Sequence, residues 1–379
     1  MRADVRPDMI RWARERANAS RSDLSKRFPR LADWEQGKTA PTLKQLEKFA
    51  RAVYVPIGYL FLPEPPDEQL PIPDFRVGRA PGESPSPNLL DTVYICQGRQ
   101  AWYADYARIA GEPSRAFVGS LTTSDLVERA AAAIRESIGF DLEARRRYPT
   151  WTDALRAFIA QAETAGVLVM CSGIVHNNTH RKLDPDEFRG FAMVDPLAPL
   201  VFVNGADTKA SQMFTLAHEL AHVWLGLSAL TDSEPTTFEG ADIEVWCNRV
   251  AAELLVPLAV LREDLRPDAA VPNEIVRLAR RFKVSTLVIL RRMLDAGALT
   301  RTRFNKQYEA ELSRIAQRPK TSGGDFYLTQ PVRASRRFVT ALVESTLEGR
   351  TLYRDAFRML GISKVETFNE LGRAVHAIA

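Results

Sequence analysis

Apolar positions along the chain recur mainly three and four residues apart, the spacing of one helix face, and only a few short runs are continuously apolar. Residues 7–17 (PDMIRWARERA) predict a helix: Pro7 suits a first-turn position, and Met9, Trp12, Ala13 and Arg16 recur at helical spacing. Ser20 reads as an N-cap, with Asp23 in the following first turn and Leu24 on the inner face. Gly37 and Pro41 punctuate the next stretch, and Thr42 caps a helix whose apolar stripe is Leu43, Leu46, Phe49, Ala50 and Val53. Val55-Pro56 opens a last short element with Ile57, Tyr59, Leu60 and Phe61.

The pattern breaks at 63–87, where eight of the 23 prolines fall within 25 residues. That density cannot continue a helix and favours extended polyproline geometry, so it marks a domain boundary; Leu70, Ile72 and Phe75 could anchor it on a neighbour. Residues 88–166 return to helical spacing, the aromatics of QAWYADYA reading as core or an interdomain face. Three β-type runs come next, VLVMCSGIV (167–175), RGFAMVD (189–195) and PLVFVNG (199–205). Helical spacing resumes at 208–227 and 241–255, and twice more within 258–298, where FKVSTLVILRRMLDAG has a helix-turn-helix-like look. TSGGDFY at 321–327 reads as a loop before the helical ASRRFVTALVESTLEG and TLYRDAFRMLG. The expected fold class is α+β and mostly helical, with one small β-sheet.

Composition narrows this. At 379 residues, with 45% hydrophobic and 26% charged side chains, the chain is globular and long enough for two or three domains. No apolar run approaches the ~20 residues of a membrane span. MRADVRPDMIRWARER has no apolar leader segment, and three dispersed cysteines (Cys96, Cys171, Cys247) do not make a disulfide framework. The expectation is a cytoplasmic protein without a membrane partner. Residues 1–60 carry 13 Lys/Arg against 7 Asp/Glu, and residues 301–379 carry 14 against 8. Two basic ends on an acidic middle permit a nucleic-acid partner, though solvated arginine-rich helix faces explain them equally.

The sharpest chemical signal is FTLAHELAHVWLG at 214–226, which holds His218-Glu219-Leu220-Ala221-His222. On a helix, residues four apart lie one above the other, so two imidazoles can share an ion. Glu219, one residue on, falls beside such an ion and can act as a general base. A catalytic zinc site needs a third protein ligand and an open position. Glu244 is the best candidate; Asn248, on the same face, could orient a ligand imidazole. Glu253 lies nine residues beyond Glu244, about 180° round the helix, so both cannot face one ion. Asp242 reads as a helix-start residue and Cys247 as a packed thiol. His176 and His180 repeat the i, i+4 spacing without the glutamate, in a stretch (HNNTH) of poor helical character, and His376 reads as a surface residue.

With these residues in view, RGFAMVD, APLVFVNG, FTLAHELAHVWLG and EVWCNRVAAELLVP together resemble the ImmA/IrrE metallopeptidases over about 165–258. The resemblance implies a gluzincin-like core that binds zinc through His218, His222 and Glu244 with Glu219 as catalytic base. It also implies regulatory proteolysis, since family members cleave repressors, often of the XRE type, in stress, phage or mobile-element responses. WEQGKTAPTLKQLEKFARAVYVPIGYLF (34–61) resembles the XRE/Cro helix-turn-helix domain, which implies DNA contacts from Arg21, Lys26, Arg27 and Arg30. Only the eight residues KRFPRLAD separate Leu24-Ser25 from Trp34-Glu35, with Pro29 among them, which predicts a shortened groove-reading helix and admits a protein-interaction or dimerisation role instead. The implied layout is an XRE-like domain at 1–62, a Pro-rich linker at 63–87, a metallopeptidase domain at 88–300 and a helical extension at 301–379. A regulatory zinc endopeptidase is the leading expectation; a DNA-binding regulator or antitoxin that holds a toxin partner is the alternative.

Overall fold

The computed structural model describes residues 2–17, 19–74, 85–231, 242–316 and 332–378. Phe75 and the TSGGDFY stretch lie outside the described residues. The chain divides into two compact units, residues 1–71 with 80–93, and residues 72–79 with 94–379. Among the described residues, no helix is long and apolar enough to cross a membrane.

The first unit is helical. α1 (Pro7–Arg16) starts on a proline. α2 (Arg21–Ser25) is capped by the Ser20 side chain, which accepts from Asp23 N–H. α3 (Leu31–Glu35) is five residues long, and α4 (Leu43–Ala52) opens with a capping box between Thr42 and Gln45. A 3₁₀ turn, Ile57–Phe61, closes the unit. Ile10, Ala13, Leu24, Leu31, Leu46 and Phe49 form its core, with Phe28, Trp34 and Phe49 in mutual ring contact. The Glu35 carboxylate is fully buried yet ionised: burial works to raise its pKa, but hydrogen bonds from Arg14 (2.5 Å) and Arg21 (2.6 Å) win and lower it. Glu68 pairs with Arg16 (Nη2–Oε1 2.7 Å), so the start of the Pro-rich stretch packs on this unit.

The second unit is built on a four-stranded mixed sheet of order β1-β3-β2-β4, comprising β1 (Leu168–Ser172), β2 (Gly190–Met193), β3 (Leu200–Asn204) and β4 (Ala229–Thr231). β1 and β3 are parallel (Leu168↔Leu200), while β2 runs antiparallel to β3 (Phe191↔Phe202) and to β4 (Phe191↔Leu230). Every residue of β2, β3 and β4 is buried, which explains the near-continuous apolar runs. Because alternate side chains point to opposite faces, the sheet has two cores. Val169, Ala192, Val201 and Val203 face one core shared with α6 (Val127–Ile138), α8 (Trp151–Ala165), α9 (Lys209–Leu225) and α10 (Asp242–Leu255). On the opposite face Phe191 and Phe202 stack with ring centroids 4.9 Å apart. There α5 (Pro87–Ile109) brings Cys96 Sγ to 3.8 Å from Met170 Sδ, and Gln100 donates to the carbonyls of Met193 and Ala198.

Short helices complete the unit: α7 (Leu142–Arg146), α11 (Leu258–Asp264), α12 (Val271–Phe282), α13 (Thr286–Asp295) and α14 (Arg301–Ala316). The C-terminal segment adds α15 (Arg336–Leu347), α16 (Tyr353–Leu360) and α17 (Val365–Ala374). This segment is built into the unit. Ser335 donates to the buried Glu163 of α8 at 2.5 Å, and Arg99 of α5 donates to Met359 O at 2.8 and 3.0 Å.

Candidate metal centre

α9 holds the central motif, and its ends show why it forms there. Thr208 accepts from Ser211 N–H at the start, and Gly226 closes the helix at φ +73°, a left-handed conformation that glycine adopts without a steric penalty. Everything from Gln212 to Trp224 is buried, so α9 is a core helix with its polar residues sequestered. α10 packs against it, and the end of α10 is fixed by arginines from three other helices. Arg135 donates to Glu253 O (2.9 Å), Arg145 to Leu255 O (3.2 Å) and Arg292 to Val256 O (2.9 Å), placing positive charge on the negative end of the helix dipole. That clamp fixes the rotation of α10 and therefore the direction of Glu244.

His218, His222 and Glu244 converge. Glu244 Oε2 lies 3.2 Å from His218 Nε2, and Oε1 lies 3.1 Å from His222 Nε2. The two Nε2 atoms are themselves 3.1 Å apart. Asn248, one turn after Glu244, places Oδ1 3.0 Å from His218 Nδ1 and accepts its proton, which leaves the His218 Nε2 lone pair facing inward. Two imidazole nitrogens so close, both aimed at one carboxylate in a buried site, form a donor set suited to a cation between them. Two nitrogens and a carboxylate oxygen match the ligand chemistry of a divalent ion such as zinc. Among the described residues, no other trio of His, Cys, Asp and Glu converges in this way. Burial works to raise the Glu244 pKa, but hydrogen bonds and charge from the two histidines prevail and hold it well below the usual carboxylate range.

Glu219 is fully buried beside the trio, and burial pushes its pKa up to about 8 against the opposing His218 charge and a Thr231 hydrogen bond. Its two oxygens differ. Thr231 Oγ1 of β4 donates to Oε1, whereas buried Oε2 has no hydrogen-bond partner among the described residues. Gly190, opposite Thr231 in the sheet register, completes the enclosure. A Cβ there would stand 2.5 Å from the Thr215 methyl, 2.8 Å from Phe202 O and 3.0 Å from Glu219 Oε1, so the residue must be glycine for β2 to lie this close to α9. Neither Thr231 nor Gly190 emerges from the sequence reading. A three-residue strand carries too little alternation to register, and RGFAM gives no sign that its glycine faces a carboxylate.

The remaining sequence candidates are placed elsewhere. Glu253 pairs with buried Arg292 and accepts from Leu258 N–H. Asp242 begins α10, and Cys247 is fully buried among apolar neighbours, where burial raises its thiol pKa well above the usual value. His176 sits in a turn at φ +48° with its ring against Gly361, while His180 and His376 are exposed. In the first unit Arg21 is held by Glu35, and Lys26, Arg27 and Arg30 are exposed around the turn between α2 and α3.

Residues 162–294 match the IrrE N-terminal-like domain family, and residues 334–374 match a domain of unknown function, DUF8813. The radiation response metalloprotease IrrE of Deinococcus radiodurans is 34% identical over 96 residues, which cover 24% of this chain and 29% of that protein. The chain therefore spans less than a third of the relative's length. No solved structure shows a significant match. The segment 162–294 contains β1–β4, α9 and α10, and this match together with the IrrE relative supports a metallopeptidase of the ImmA/IrrE type.

Proposed function

We propose that this protein is a zinc endopeptidase that cleaves a regulatory protein, such as a transcriptional repressor, in a stress, phage or mobile-element response. One observation carries the reading: two imidazoles and a carboxylate converge beside a second buried carboxylate that has one oxygen tethered and the other unpartnered among the described residues. A structural metal site has no use for that second carboxylate. His218, His222 and Glu244 would hold the ion, and Asn248 fixes the His218 tautomer. When bound, zinc supplies Lewis acidity toward water and toward a peptide carbonyl. Glu219 Oε2 takes a proton from the attacking water as its oxygen bonds to the carbonyl carbon. As the C–N bond breaks, Glu219 passes that proton to the departing amine. Thr231 keeps Oε1 fixed, so the carboxylate does not rotate away between the two transfers.

A second reading gives the first unit a DNA-binding or partner-binding role, as in a transcription regulator or an antitoxin. It rests on the exposed Lys26, Arg27 and Arg30 around a turn between two helices. The deciding experiment co-expresses the full chain with candidate repressor or nuclease-like neighbours, with and without Glu219→Gln. Cleavage that requires Glu219 supports the endopeptidase. A stable, uncleaved complex in both cases supports the partner-binding reading.

A further inference from the structure

β4 is an edge strand, three residues long, and its outer side is occupied by another part of the same chain. Leu230 N–H donates to Pro73 O at 2.9 Å, and Asp74 and Leu230 form a parallel bridge. Ile72 is seated with 9% of its surface exposed. The occupant therefore comes from the Pro-rich stretch, and its sequence Pro71-Ile72-Pro73-Asp74 is unusual for a strand. Neither proline has an N–H to donate, so the segment offers carbonyls to β4 without forming a regular ladder.

The position matters because Leu230 immediately precedes Thr231, whose hydroxyl holds Glu219. An exposed strand edge is a template for any extended polypeptide, and peptides are commonly held by adding a strand to such an edge. A polypeptide laid along β4 would need the Leu230 N–H, the group Pro73 O now covers. A substrate strand and residues 72–74 thus compete for one backbone donor, one residue from the side chain that positions the general base.

We propose that Ile72–Asp74 is an internal strap on the β4 edge, displaced when an extended segment of a protein substrate adds to that strand. The consequence for hydrolysis rests on the endopeptidase reading; the displaceable seat does not. Pro73 within the strap and Pro71 just before it suit such a role. They pre-set an extended backbone, and they limit pairing to a hold that a segment with a full set of N–H donors can outcompete.

The test uses the zinc-loaded full chain and a fluorescein-labelled peptide of residues 69–78 as probe. Ile72→Asp removes the buried anchor. Fluorescence anisotropy is expected to show at least tenfold tighter peptide binding by this variant than by wild type, and hydrolysis of unfolded casein is expected to rise several-fold, with unlabelled peptide suppressing it. A second variant, Asp74→Cys with Leu230→Cys, joins the bridged pair. Its oxidised form is expected to lose peptide binding and casein cleavage, and both should return on reduction with a phosphine. Equal peptide binding by wild type and Ile72→Asp at equal zinc content overturns the strap, as does equal binding by the oxidised and reduced forms of the cysteine pair. Peptide binding that tracks release of the strap while no form cleaves casein upholds the strap and overturns the endopeptidase reading.

Discussion

Thr231 Oγ1 donates its proton to Oε1 of Glu219, joining a three-residue edge strand to the buried middle of α9. The bond ties one carboxylate oxygen, while the other has no partner among the described residues, an asymmetry that suits a general base. Thr231→Val keeps the shape and removes the donor, so Glu219 gains rotational freedom and a buried oxygen loses its partner. The expected result is a fall in kcat of about tenfold with zinc content unchanged, the size of one lost buried hydrogen bond and below the ~10²–10⁴-fold that a general base itself contributes. Thr231→Ser should restore most of the rate. Metal analysis and steady-state kinetics on one peptide substrate check both. A Thr231→Val enzyme with wild-type kcat would remove Thr231 from the positioning of Glu219.

Glu244 and Glu253 lie on one helix and should fail differently. His218→Ala, His222→Ala and Glu244→Ala are expected to lose bound zinc in equilibrium dialysis, and Asn248→Ala to weaken it by the ~10–100-fold typical of a residue that orients a ligand. Glu253→Ala should leave zinc affinity nearly unchanged. It removes one of the two carboxylates on buried Arg292 and leaves Asp295 at 3.4 Å, so unfolding should show a loss of roughly 1–3 kcal/mol. Equal zinc loss at 244 and 253 would mean that the metal-facing side of α10 has been misassigned.

The motif residues were legible because a helix repeats every 3.6 residues: His218 and His222 had to share a face, and Glu244 and Glu253 had to oppose each other. The strands of the sheet were legible where they were long and β-branched, as in Leu200–Asn204. β4 was not, since three residues carry no period, and with it went Thr231 and the strap. Proline density denied a helix at 63–87; the described residues 63–74, 85 and 86 are non-helical, while Pro87 already opens α5. It could not show that Glu68 would pair with Arg16, or that Pro73 would accept from Leu230. Those contacts depend on which surfaces meet after folding. Glu35 shows the same limit. In sequence it reads as part of a helix-turn-helix signature, whereas in the structure it is a buried anion that takes up Arg21, one of the four cations expected to face DNA.

That pairing bears on nucleic-acid binding. α3 is five residues long, about 7.5 Å at the helical rise, and its Leu31, Trp34 and Glu35 face the core. Few side chains remain to read a groove. The expected behaviour is weak, sequence-indifferent attraction through Lys26, Arg27 and Arg30, falling steeply with salt. An anisotropy titration of the full chain at ~150 mM salt against its own promoter and a scrambled duplex should give similar affinities for both, and neutralising the three cations should abolish them without changing zinc content. Nanomolar, promoter-specific binding would make direct transcriptional regulation a function of this unit.

Glu163 is expected to make the attachment of the C-terminal segment sensitive to pH. Burial raises its pKa from 4.5 to about 7, opposed by the Ser335 hydroxyl and by the backbone N–H groups of Arg336 and Arg337 at the start of α15. Proton counting gives the sign. Between about pH 4.5 and pH 7 the folded chain holds a proton here that the unfolded chain has released, so stability falls as pH rises through that window. The full difference of ~2.5 pKa units corresponds to on the order of 3 kcal/mol, all of it imposed above pH 7 and none below pH 4.5. Glu163→Gln keeps an acceptor for Ser335 and cannot ionise. Compared with wild type in urea unfolding from pH 5 to pH 8, the variant should gain relative stability as pH rises. Near pH 5 the two should differ little, and the difference should level off above pH 7. A wild-type-minus-variant difference that stays flat across the range would show that Glu163 titrates in the folded protein as it does in the unfolded chain.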